Sequence, residues 1–406
     1  MTDRSSPAIL YISYDGMLEP LGQSQVLAYL EMLSDRYPIR LISFEKKEDW
    51  CRREEREAVR MRIEAAGIAW IPLRYHKTPT APATAFDILA GAFVALYQVL
   101  RHRIAIVHAR SYVAATMALL VKRVTGTKFL FDMRGFWADE RIDAGLWPAD
   151  SRLYRFAKRL EKRFLMAADH VVTLTQASAR EIGTFPYLQG RKPAIAVIPT
   201  CADLDRFNRV GNARPTPFTF GFVGAAGTWS LFDQVLACFR QLIEVEPEAR
   251  LLVVNRGEHA FIRERIGASG IDPERIELVT ADHREMPLLL SRISAGAAVR
   301  RQAYSQIACA PTKLAEYLGC GIPCLANEGI GDVKAILEEA KVGIVLKDFS
   351  DEEVRSGMKA LVALSREPDI AARCRTAAQR HFSLESGVAA YGEIYDRLAV
   401  SRRAGR

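Results

Sequence analysis

The segment from Pro311 to Glu316 carries residue types suited to holding a phosphate and a sugar. Pro311 suits the first turn of a helix, where Thr312 and Lys313 would lie among free N–H groups that attract an anion. Lys313 and Glu316 are three residues apart and share one helix face. The pattern predicts an ammonium near a phosphate and, one turn on, a carboxylate that accepts hydrogen bonds from a sugar diol. A helix with a solvated lysine and glutamate is the alternative interpretation.

The stretches around this segment predict strands and turns that position it. Gly319 and Gly321 end the helix, and the apolar run 322–326 is typical of a short buried strand. Upstream, a strand over 218–223 leads into Gly224 within a G-x-x-G-x-x-G spacing, which lets a phosphate approach the backbone. This spacing is less specific than the G-x-G-x-x-G of dinucleotide sites. Two further candidate cations for the same phosphates are Arg256, after a strand over 251–255, and Arg300.

The first half of the chain alternates between strand and helix patterns. A buried strand over 8–14 is followed by a loop with Gly22 and Gln23, where glycine allows backbone to approach a ligand. A plain strand-to-helix turn is the alternative. Further strands are predicted over 40–44, 68–72, 105–108, 128–131, 170–175 and 194–198. Such alternation favours parallel sheets with helices on both faces, which bind ligands beyond the carboxyl ends of their strands.

Polar residues mark the ends of two of these strands. His108 ends one strand, and Asp132 and Arg134 follow the next in a loop that also holds glycine and tryptophan. Arg134 is a bidentate donor for phosphate or carboxylate, and Asp132 can orient a hydroxyl nucleophile. An internal salt bridge that fixes the loop is the alternative, and a lone histidine is more often structural. These three residues are the candidate catalytic residues.

Length and composition predict two globular domains. The chain has 406 residues, 49% apolar and 26% charged, which exceeds what one core usually supports. Residues 1–200 hold 29 Lys+Arg against 21 Asp+Glu, and residues 201–406 hold 27 of each, so the formal charge of +8 belongs to the first half. This excess favours an anionic lipid surface or an anionic acceptor. No nucleic-acid-binding module accompanies it, so no nucleic-acid partner is predicted.

The N-terminus and the cysteines predict a cytoplasmic protein. The first residues lack the basic-then-apolar order of a signal peptide. The seven cysteines form no pair of C-x-x-C units, so neither a zinc site nor a disulfide framework is predicted.

Two predicted helices in the first half of the chain are candidates for membrane-spanning or membrane-binding segments. The apolar run 88–97 is much shorter than the roughly 20 residues that span a bilayer, which predicts a packed core helix and no membrane span. Residues 151–167 form a basic amphipathic pattern with an apolar stripe of Leu153, Phe156, Leu160 and Phe164. Either the stripe packs on the sheet, or the helix binds the first domain weakly to the anionic inner face of a membrane.

The run from Pro311 to Pro323 resembles the donor-site segment of family 4 glycosyltransferases, which are retaining enzymes with the GT-B fold. The family segment reads P-[ST]-K-[LVF]-x-E-[YA]-[LM]-A-x-G-x-P-V. The matching residues are Pro311, Thr312, Lys313, Glu316, Tyr317, Gly321 and Pro323. Residues 197–207 also resemble the family's interdomain segment, V-I-P-N-G-V-D-x-x-R-F, and residues 383–398 resemble its last helix.

The resemblance implies the GT-B fold class, an α/β architecture of two doubly wound Rossmann-like domains that face a central cleft. The implied bounds are 1–205 for an acceptor-side domain and 206–382 for a nucleotide-sugar-binding domain. A C-terminal helix over 383–406 is expected to return to the first domain. By resemblance, the glycine loop at Gly22 faces the donor diphosphate.

The chain departs from the family pattern at three positions. An arginine and a lysine that grip the diphosphate usually follow the glycine turn, whereas residues 225–230 contain neither. Ala308 replaces a glutamate that lies eight residues before Glu316, and Asp132-Met133-Arg134 replaces a histidine at a strand end. No histidine role is therefore carried over. Compensation for the missing cations is expected from Lys313, Arg256, Arg300 or Arg301.

The resemblance implies retaining transfer of a sugar from a UDP- or GDP-type nucleotide sugar to an acceptor hydroxyl by front-face attack. A bacterial-type polysaccharide, glycolipid or other glycoconjugate pathway is implied, with a glycan, lipid-linked or small-molecule acceptor. Glu316 would bind ribose and Lys313 phosphate. No metal or cofactor is expected, because amides and cations can neutralise the leaving group.

Two alternatives remain. One is a non-catalytic nucleotide-sugar-binding partner subunit of a glycosyltransferase, which the departures favour. The other is an unrelated doubly wound dehydrogenase or methyltransferase, which would normally show G-x-G-x-x-G between strand and helix.

Overall fold

A computed structural model describes residues 6–190, 193–208, 215–281 and 285–403. The chain divides into two compact units. Unit 1 comprises residues 1–198 and 385–406, and unit 2 comprises residues 199–384. The composition of residues 211–217, which include glycine and two prolines, predicts a linker between the domains, and residues 211–214 of this segment lie outside the described residues.

Strands and helices alternate along the described residues. The strands are β1 (Ile9–Ser13), β2 (Ile39–Glu45), β3 (Ala69–Arg74), β4 (Ile106–Arg110), β5 (Lys128–Asp132), β6 (His170–Thr173), β7 (Ile195–Val197), β8 (Thr219–Val223), β9 (Arg250–Val254), β10 (Ile276–Val279), β11 (Ala295–Ala297), β12 (Cys324–Asn327) and β13 (Gly343–Leu346). The helices of unit 1 are α1 (Pro20–Gly22), α2 (Ala28–Ser34), α3 (Lys47–Trp50), α4 (Arg53–Ala65), α5 (Thr80–His102), α6 (Ser111–Thr125), α7 (Trp137–Asp143), α8 (Arg152–Ala167) and α9 (Gln176–Thr184). The later helices are α10 (Phe232–Val245), α11 (His259–Ala268), α12 (Met286–Ser291), α13 (Thr312–Gly319), α14 (Val333–Ala340), α15 (Asp351–Ser365), α16 (Ile370–Phe382) and α17 (Leu384–Arg403).

Each unit contains one parallel sheet in the part of the chain that is described. The sheet of unit 1 has seven strands in the order β3-β2-β1-β4-β5-β6-β7, and that of unit 2 has six in the order β10-β9-β8-β11-β12-β13. The strand order reverses beside β1 in unit 1 and beside β8 in unit 2, and such switch points bind ligands in open parallel sheets. The predicted doubly wound α/β class is confirmed, and the ten predicted strands are present to within two residues.

Glycines allow α13 to sit closely on the sheet of unit 2. The fully buried ring of Tyr317 covers Gly296, where an added Cβ would lie 2.6 Å from the ring, and its hydroxyl donates to the carbonyl of Gly221 at 3.2 Å. Gly321, at φ +74°, turns the chain back from the end of α13 toward β12. The side chains at the start of α13 are thereby held at the carboxyl end of the sheet.

The last helix, α17, completes the core of unit 1. Tyr391, Ile394, Tyr395 and Leu398 are buried. The hydroxyl of Tyr37 donates to the carbonyl of Gly392 at 3.0 Å, and the Tyr37 and Tyr395 rings meet edge to face.

The prediction of a packed core helix over 88–97 is wrong in length and orientation. The helix α5 has 23 residues, and by length and composition it is apolar enough to cross a membrane. Its buried side holds small or polar residues, including Asp87 and Gln98, while Phe93 is 74% exposed. Because α5 connects β3 to β4 of one sheet, it runs along that sheet rather than across a bilayer.

The predicted stripe of α8 is only partly buried. Phe164 is fully buried, but Leu153 and Phe156 are about half exposed. The inward face instead centres on Ala157 and Glu161. Glu161 is buried because it accepts a hydrogen bond from Tyr112 at 2.6 Å and pairs with Lys158.

Candidate functional site

In unit 2, the structure brings Gly224 and Lys313 together at the carboxyl end of the sheet. Gly224 follows β8 with φ +102°, a conformation that favours glycine, and an added Cβ would lie 4.0 Å from the Lys313 ammonium. Pro311 occupies the cap position just before α13 rather than its first turn. The tight turn and the lysine thus form one side of a small cationic site.

The Lys313 ammonium is buried without a hydrogen-bond partner among the described residues. It lies 4.7 Å from the centroid of the Phe222 ring. Burial lowers the pKa of Lys313 to about 8, and the charge of Arg300 contributes to the decrease. A buried cation without a partner is costly, so the site is suited to receive an anion.

Glu316 lies one helical turn beyond Lys313. Burial raises the pKa of Glu316 to about 7, and the charges of Lys313 and Arg206 partly oppose this increase. Thr312, in the first turn of α13, is partly exposed. Lys313 and Glu316 thus lie one turn apart on α13, and their contacts with a phosphate and a sugar diol stay a prediction.

The other predicted cations differ in their environments. Arg300, after β11, donates from Nε to Gln306 at 3.0 Å, and its backbone N–H donates to Asn327. Its charge acts on Lys313, so the two cations are neighbours. Arg256 and Arg301 are exposed.

A carboxylate already occupies the backbone amides of the glycine turn. Glu258 accepts hydrogen bonds from the N–H groups of Ala226 at 2.7 Å and Gly227 at 3.0 Å. Asn255 donates to Glu258 at 2.9 Å and to the Gly224 carbonyl at 3.0 Å. Sequence reasoning missed both residues. The sequence pattern that could have indicated them is Asn-x-x-Glu, which begins directly after β9. The strand β9 pairs with β8, which leads into the glycine turn.

In unit 1, the three candidate catalytic residues form one buried cluster. His108 Nε2 lies 3.7 Å from Asp132 Oδ2, and Arg134 Nη1 lies 3.9 Å from Asp132 Oδ1. Burial lowers the pKa of His108, which favours the neutral imidazole. Burial acts to raise the pKa of Asp132, but Arg134 and His108 outweigh it and keep the pKa below its usual value. Asp132 is therefore an ionised hydrogen-bond acceptor.

Two tyrosines of α17 enclose this cluster. Tyr391 donates to Asp132 Oδ2 at 3.1 Å, and the Tyr395 hydroxyl lies 2.7 Å from His108 Nδ1. Arg134 has φ +56°, an uncommon conformation for arginine. His108 is 1% exposed and lies inside β4, so its contacts favour the structural interpretation of this residue. Asp132, which is also 1% exposed, is the last residue of β5, and Arg134 follows in the loop after it.

A second ion pair lies beside the cluster at the switch point of unit 1. Arg110, at the end of β4, lies with Nε 3.5 Å from Oδ2 of Asp15, which follows β1. Arg110 is 5% exposed, whereas the Asp15 side chain is 42% exposed. The carboxyl end of the β1–β4 pair therefore carries a charged group at or just after each strand.

The structure gives Gly22 and Gln23 roles other than the predicted ones. A Cβ on Gly22 would lie 1.9 Å from the carbonyl oxygen of Gly16, so this glycine permits the loop to pack against itself. The loop is further held by Glu45, which accepts from the Met17 N–H at 2.9 Å. The Gln23 side chain accepts a 3.4 Å contact from Arg62 of α4. Neither residue joins the cluster around Asp132.

Within the described ranges, no three His, Cys, Asp or Glu side chains lie close enough together to hold a metal ion. None of the seven cysteines, all of which the structure describes, forms a disulfide bond.

Comparison with known proteins identifies one domain and the fold. Residues 23–201 match the glycosyl transferase 4-like domain. A search of curated protein sequences finds no significant match.

Solved structures similar to the whole chain are glycosyltransferases. Sucrose-phosphate synthase from Thermosynechococcus elongatus has a TM-score of 0.71 at 13% identity, over 97% of this chain and 100% of that chain. A glycosyltransferase from Rickettsia africae has a TM-score of 0.70 at 14% identity, over 97% and 98%. HepE from Anabaena, solved with UDP and glucose, has a TM-score of 0.66 at 15% identity, over 96% and 99%.

The similar structures share the GT-B fold, which confirms the predicted fold class. The domain match in residues 23–201 supports sugar transfer as the activity. Residues 23–201 therefore match a glycosyl transferase 4-like domain, and the chain as a whole has the GT-B fold.

Proposed function

We propose that this protein transfers a sugar from a nucleotide diphosphate donor to an acceptor hydroxyl with retention of the anomeric configuration. The observation that carries the proposal is the buried Lys313 ammonium, which lies beside the Gly224 turn and has no hydrogen-bond partner among the described residues. A diphosphate would supply the missing negative charge and hydrogen-bond acceptors. Glu316, one turn along the same helix, would accept hydrogen bonds from the ribose hydroxyls.

UDP is the first candidate for the nucleotide, and GDP is the second. The similar HepE structures from Anabaena contain UDP, UDP with glucose, or UDP-glucose. At 15% identity this likeness concerns the fold, so a uridine donor for this chain is our proposal. No metal or cofactor takes part in it, because Lys313, Arg300 and backbone amides would neutralise the departing diphosphate.

The proposed reaction is a front-face substitution. The bond between the anomeric carbon and the diphosphate oxygen breaks, and the acceptor oxygen bonds to the same face of that carbon. The acceptor hydroxyl gives its proton to the departing phosphate oxygen. Asp132, an ionised acceptor, would orient the incoming hydroxyl, and Arg134 would hold an anionic group of the acceptor. The acceptor is a glycan, a lipid-linked molecule or a small molecule of glycoconjugate biosynthesis in the cytoplasm.

Single-turnover assays of the purified chain test the proposal. UDP- and GDP-sugars would first be screened by the shift in melting temperature, and the stabilising donor then incubated with candidate acceptors. We expect a glycosylated product whose anomeric proton coupling matches that of the donor. The coupling of the opposite anomer would contradict retention, and a chain that binds neither nucleotide would contradict the donor site.

A second candidate function is a non-catalytic subunit that binds a nucleotide sugar for a partner glycosyltransferase. Glu258 favours it, because this carboxylate occupies the Ala226 and Gly227 amides that could otherwise approach the diphosphate. Ala308, in place of the family's glutamate, is buried and offers no charge to the sugar. UDP binding with neither hydrolysis nor transfer of the sugar, at any acceptor concentration, would favour this function over the enzyme.

A further inference from the structure

The helix α5 is turned with its large apolar side chains outward. Its apolar stripe consists of Phe86, Leu89, Phe93, Tyr97 and Leu100, each between 56% and 74% exposed. The inward side contains Asp87, 1% exposed, which accepts from the Tyr14 hydroxyl at 2.8 Å, and Gln98, which accepts from Arg40 at 2.7 Å. A surface helix of a globular protein normally has the opposite arrangement.

Close packing on the inward side keeps α5 in this orientation. Gly91 lies against α6, where an added Cβ would come within 2.6 Å of the Met117 sulfur and 3.0 Å of the Phe44 ring. Asp87 also contacts His76, with 2.5 Å between Oδ1 and the imidazole Nδ1. Rotating the stripe inward would bury large side chains where there is room only for a glycine, and would expose a carboxylate that has two partner residues.

The neighbouring helices add cations to this surface and no carboxylate. Helix α5 packs on α6, and α6 packs on α8, so the three lie side by side on the sheet. Asp87 and Glu161 are the only acidic residues of these three helices, and both are buried. The exposed cations of α6 and α8 are Arg123, Arg152, Arg155, Arg159, Lys162 and Arg163. Phe156 is exposed among those of α8.

We propose that this α5–α8 face of unit 1 binds the surface of an anionic lipid bilayer, with the apolar stripe of α5 inserted among the acyl chains. The stripe extends over about 21 Å, from Phe86 to Leu100, and suits a helix that lies in the plane of the interface. The cations of α8 would contact lipid phosphates. Contiguous apolar surface of this kind marks an interaction site in a soluble domain.

The charge of the face argues for lipid over a second copy of the chain. In a symmetric dimer the same face meets itself, so the exposed arginines and lysines of α8 would oppose one another with no carboxylate to pair with. Anionic headgroups complement them, and each cation near such a surface contributes about 1 kcal/mol.

Sedimentation of the full chain with vesicles tests the proposal. We expect the protein to pellet with vesicles of equal parts phosphatidylcholine and phosphatidylglycerol, and far less with phosphatidylcholine alone or at high salt. The double variant Leu89→Gln/Phe93→Gln should lower the lipid partition coefficient by at least about tenfold. The variant Arg155→Gln/Arg159→Gln should also weaken binding by about tenfold or more and reduce its salt dependence.

The matched control is Phe261→Gln/Leu288→Gln, which replaces exposed apolar residues of unit 2 and should pellet like the unaltered protein. Unchanged circular dichroism and melting temperature would show that the stripe variant is folded. Three results would overturn the proposal: an unaltered protein that stays in the supernatant, a folded stripe variant that pellets as well as the unaltered protein, or self-association that the stripe variant abolishes without any vesicle binding.

Discussion

At the scale of single residues, the protonation of Lys313 should control nucleotide binding. Because burial lowers its pKa to about 8, the free protein loses this ammonium as the pH rises from about 7 to about 9. We expect the affinity for UDP, measured by titration calorimetry, to fall over that interval. Lys313→Met should reduce the affinity near pH 7 by about 10- to 100-fold, which corresponds to one charge-assisted contact.

Lys334→Met provides the control for this experiment, since that lysine lies exposed on α14 and pairs with Glu328. It should leave both the affinity and its pH dependence unchanged. An affinity of the unaltered protein that stays constant between neutral and alkaline pH would contradict the role of Lys313.

Glu258 should stabilise unit 2 through the glycine turn. Glu258→Ala leaves the amides of Ala226 and Gly227 and the side chain of Asn255 without their acceptor. We expect a loss of about 1–2 kcal/mol in the free energy of unfolding, measured with urea, because these groups are only partly buried. Glu264→Ala, at an exposed residue of α11, should have almost no effect. If the two variants were equally stable, the hydrogen bonds from the glycine turn and Asn255 to Glu258 would not stabilise unit 2.

The sequence was informative where the site depends on local geometry. Gly224, Lys313 and Glu316 were predicted to act together, since a strand end and the first turn of a helix follow from neighbouring residues. Glu258 was missed, because the Asn-x-x-Glu sequence after β9 does not show which amides its glutamate will reach. Gly22 was assigned to a ligand because the sequence does not reveal that Gly16 would fold back against it.

At the scale of elements, the packing of α13 against the sheet depends on Gly296 of β11. Gly296→Ala would place a Cβ 2.6 Å from the buried Tyr317 ring, so helix or sheet must shift. We expect a loss of about 1–3 kcal/mol in unfolding free energy and a weaker affinity for UDP, because α13 carries Lys313. Calorimetric melting and UDP titration measure the two effects.

Gly267→Ala is the matched control. Gly267 lies inside α11 with no atom within 4 Å of an added Cβ. Alanine there should stabilise the protein by up to about 1 kcal/mol, since glycine is unfavourable in a helix. If the Gly296 and Gly267 variants behaved alike, packing under Tyr317 would not be the cause.

The sequence predicted the existence of elements better than their orientation. Three strands of unit 2 were not predicted, namely β10, β11 and β13. For β11 the reason is that Ala295–Ala297 is short and lacks the β-branched residues that indicate a strand. For α5, the rule that apolar residues face inward selected the wrong face, and for α8 it holds for only part of the stripe. Buried partners of Asp87 and Glu161 outweigh that rule, and those partners lie on other elements of unit 1.

At the scale of the whole molecule, each unit should respond separately to substitutions in its own core. Tyr395 is fully buried in unit 1 and lies 2.7 Å from His108 Nδ1. We expect Tyr395→Ala to lower the free energy of unfolding of unit 1 by about 3–5 kcal/mol and to lower its melting temperature. Unit 2 should keep its affinity for UDP. Differential scanning calorimetry combined with UDP titration checks both expectations.

Glu393→Ala, at an exposed position of the same helix, tests whether any change in α17 has this effect, and it should melt like the unaltered protein. Loss of UDP binding in a Tyr395→Ala protein whose unit 2 remains folded would contradict the separation of the two units.

The division of unit 1 between residues 1–198 and 385–406 has a consequence for protein synthesis. The nascent first sheet leaves the ribosome long before Tyr391 and Tyr395 are translated. Until those tyrosines arrive, its surface around His108 and Tyr37 stays open, and unit 2 has time to form first. A ribosome that stalls while it translates unit 2 therefore releases a chain that lacks α17. The apolar surface that α17 would cover is then exposed to chaperones and proteases.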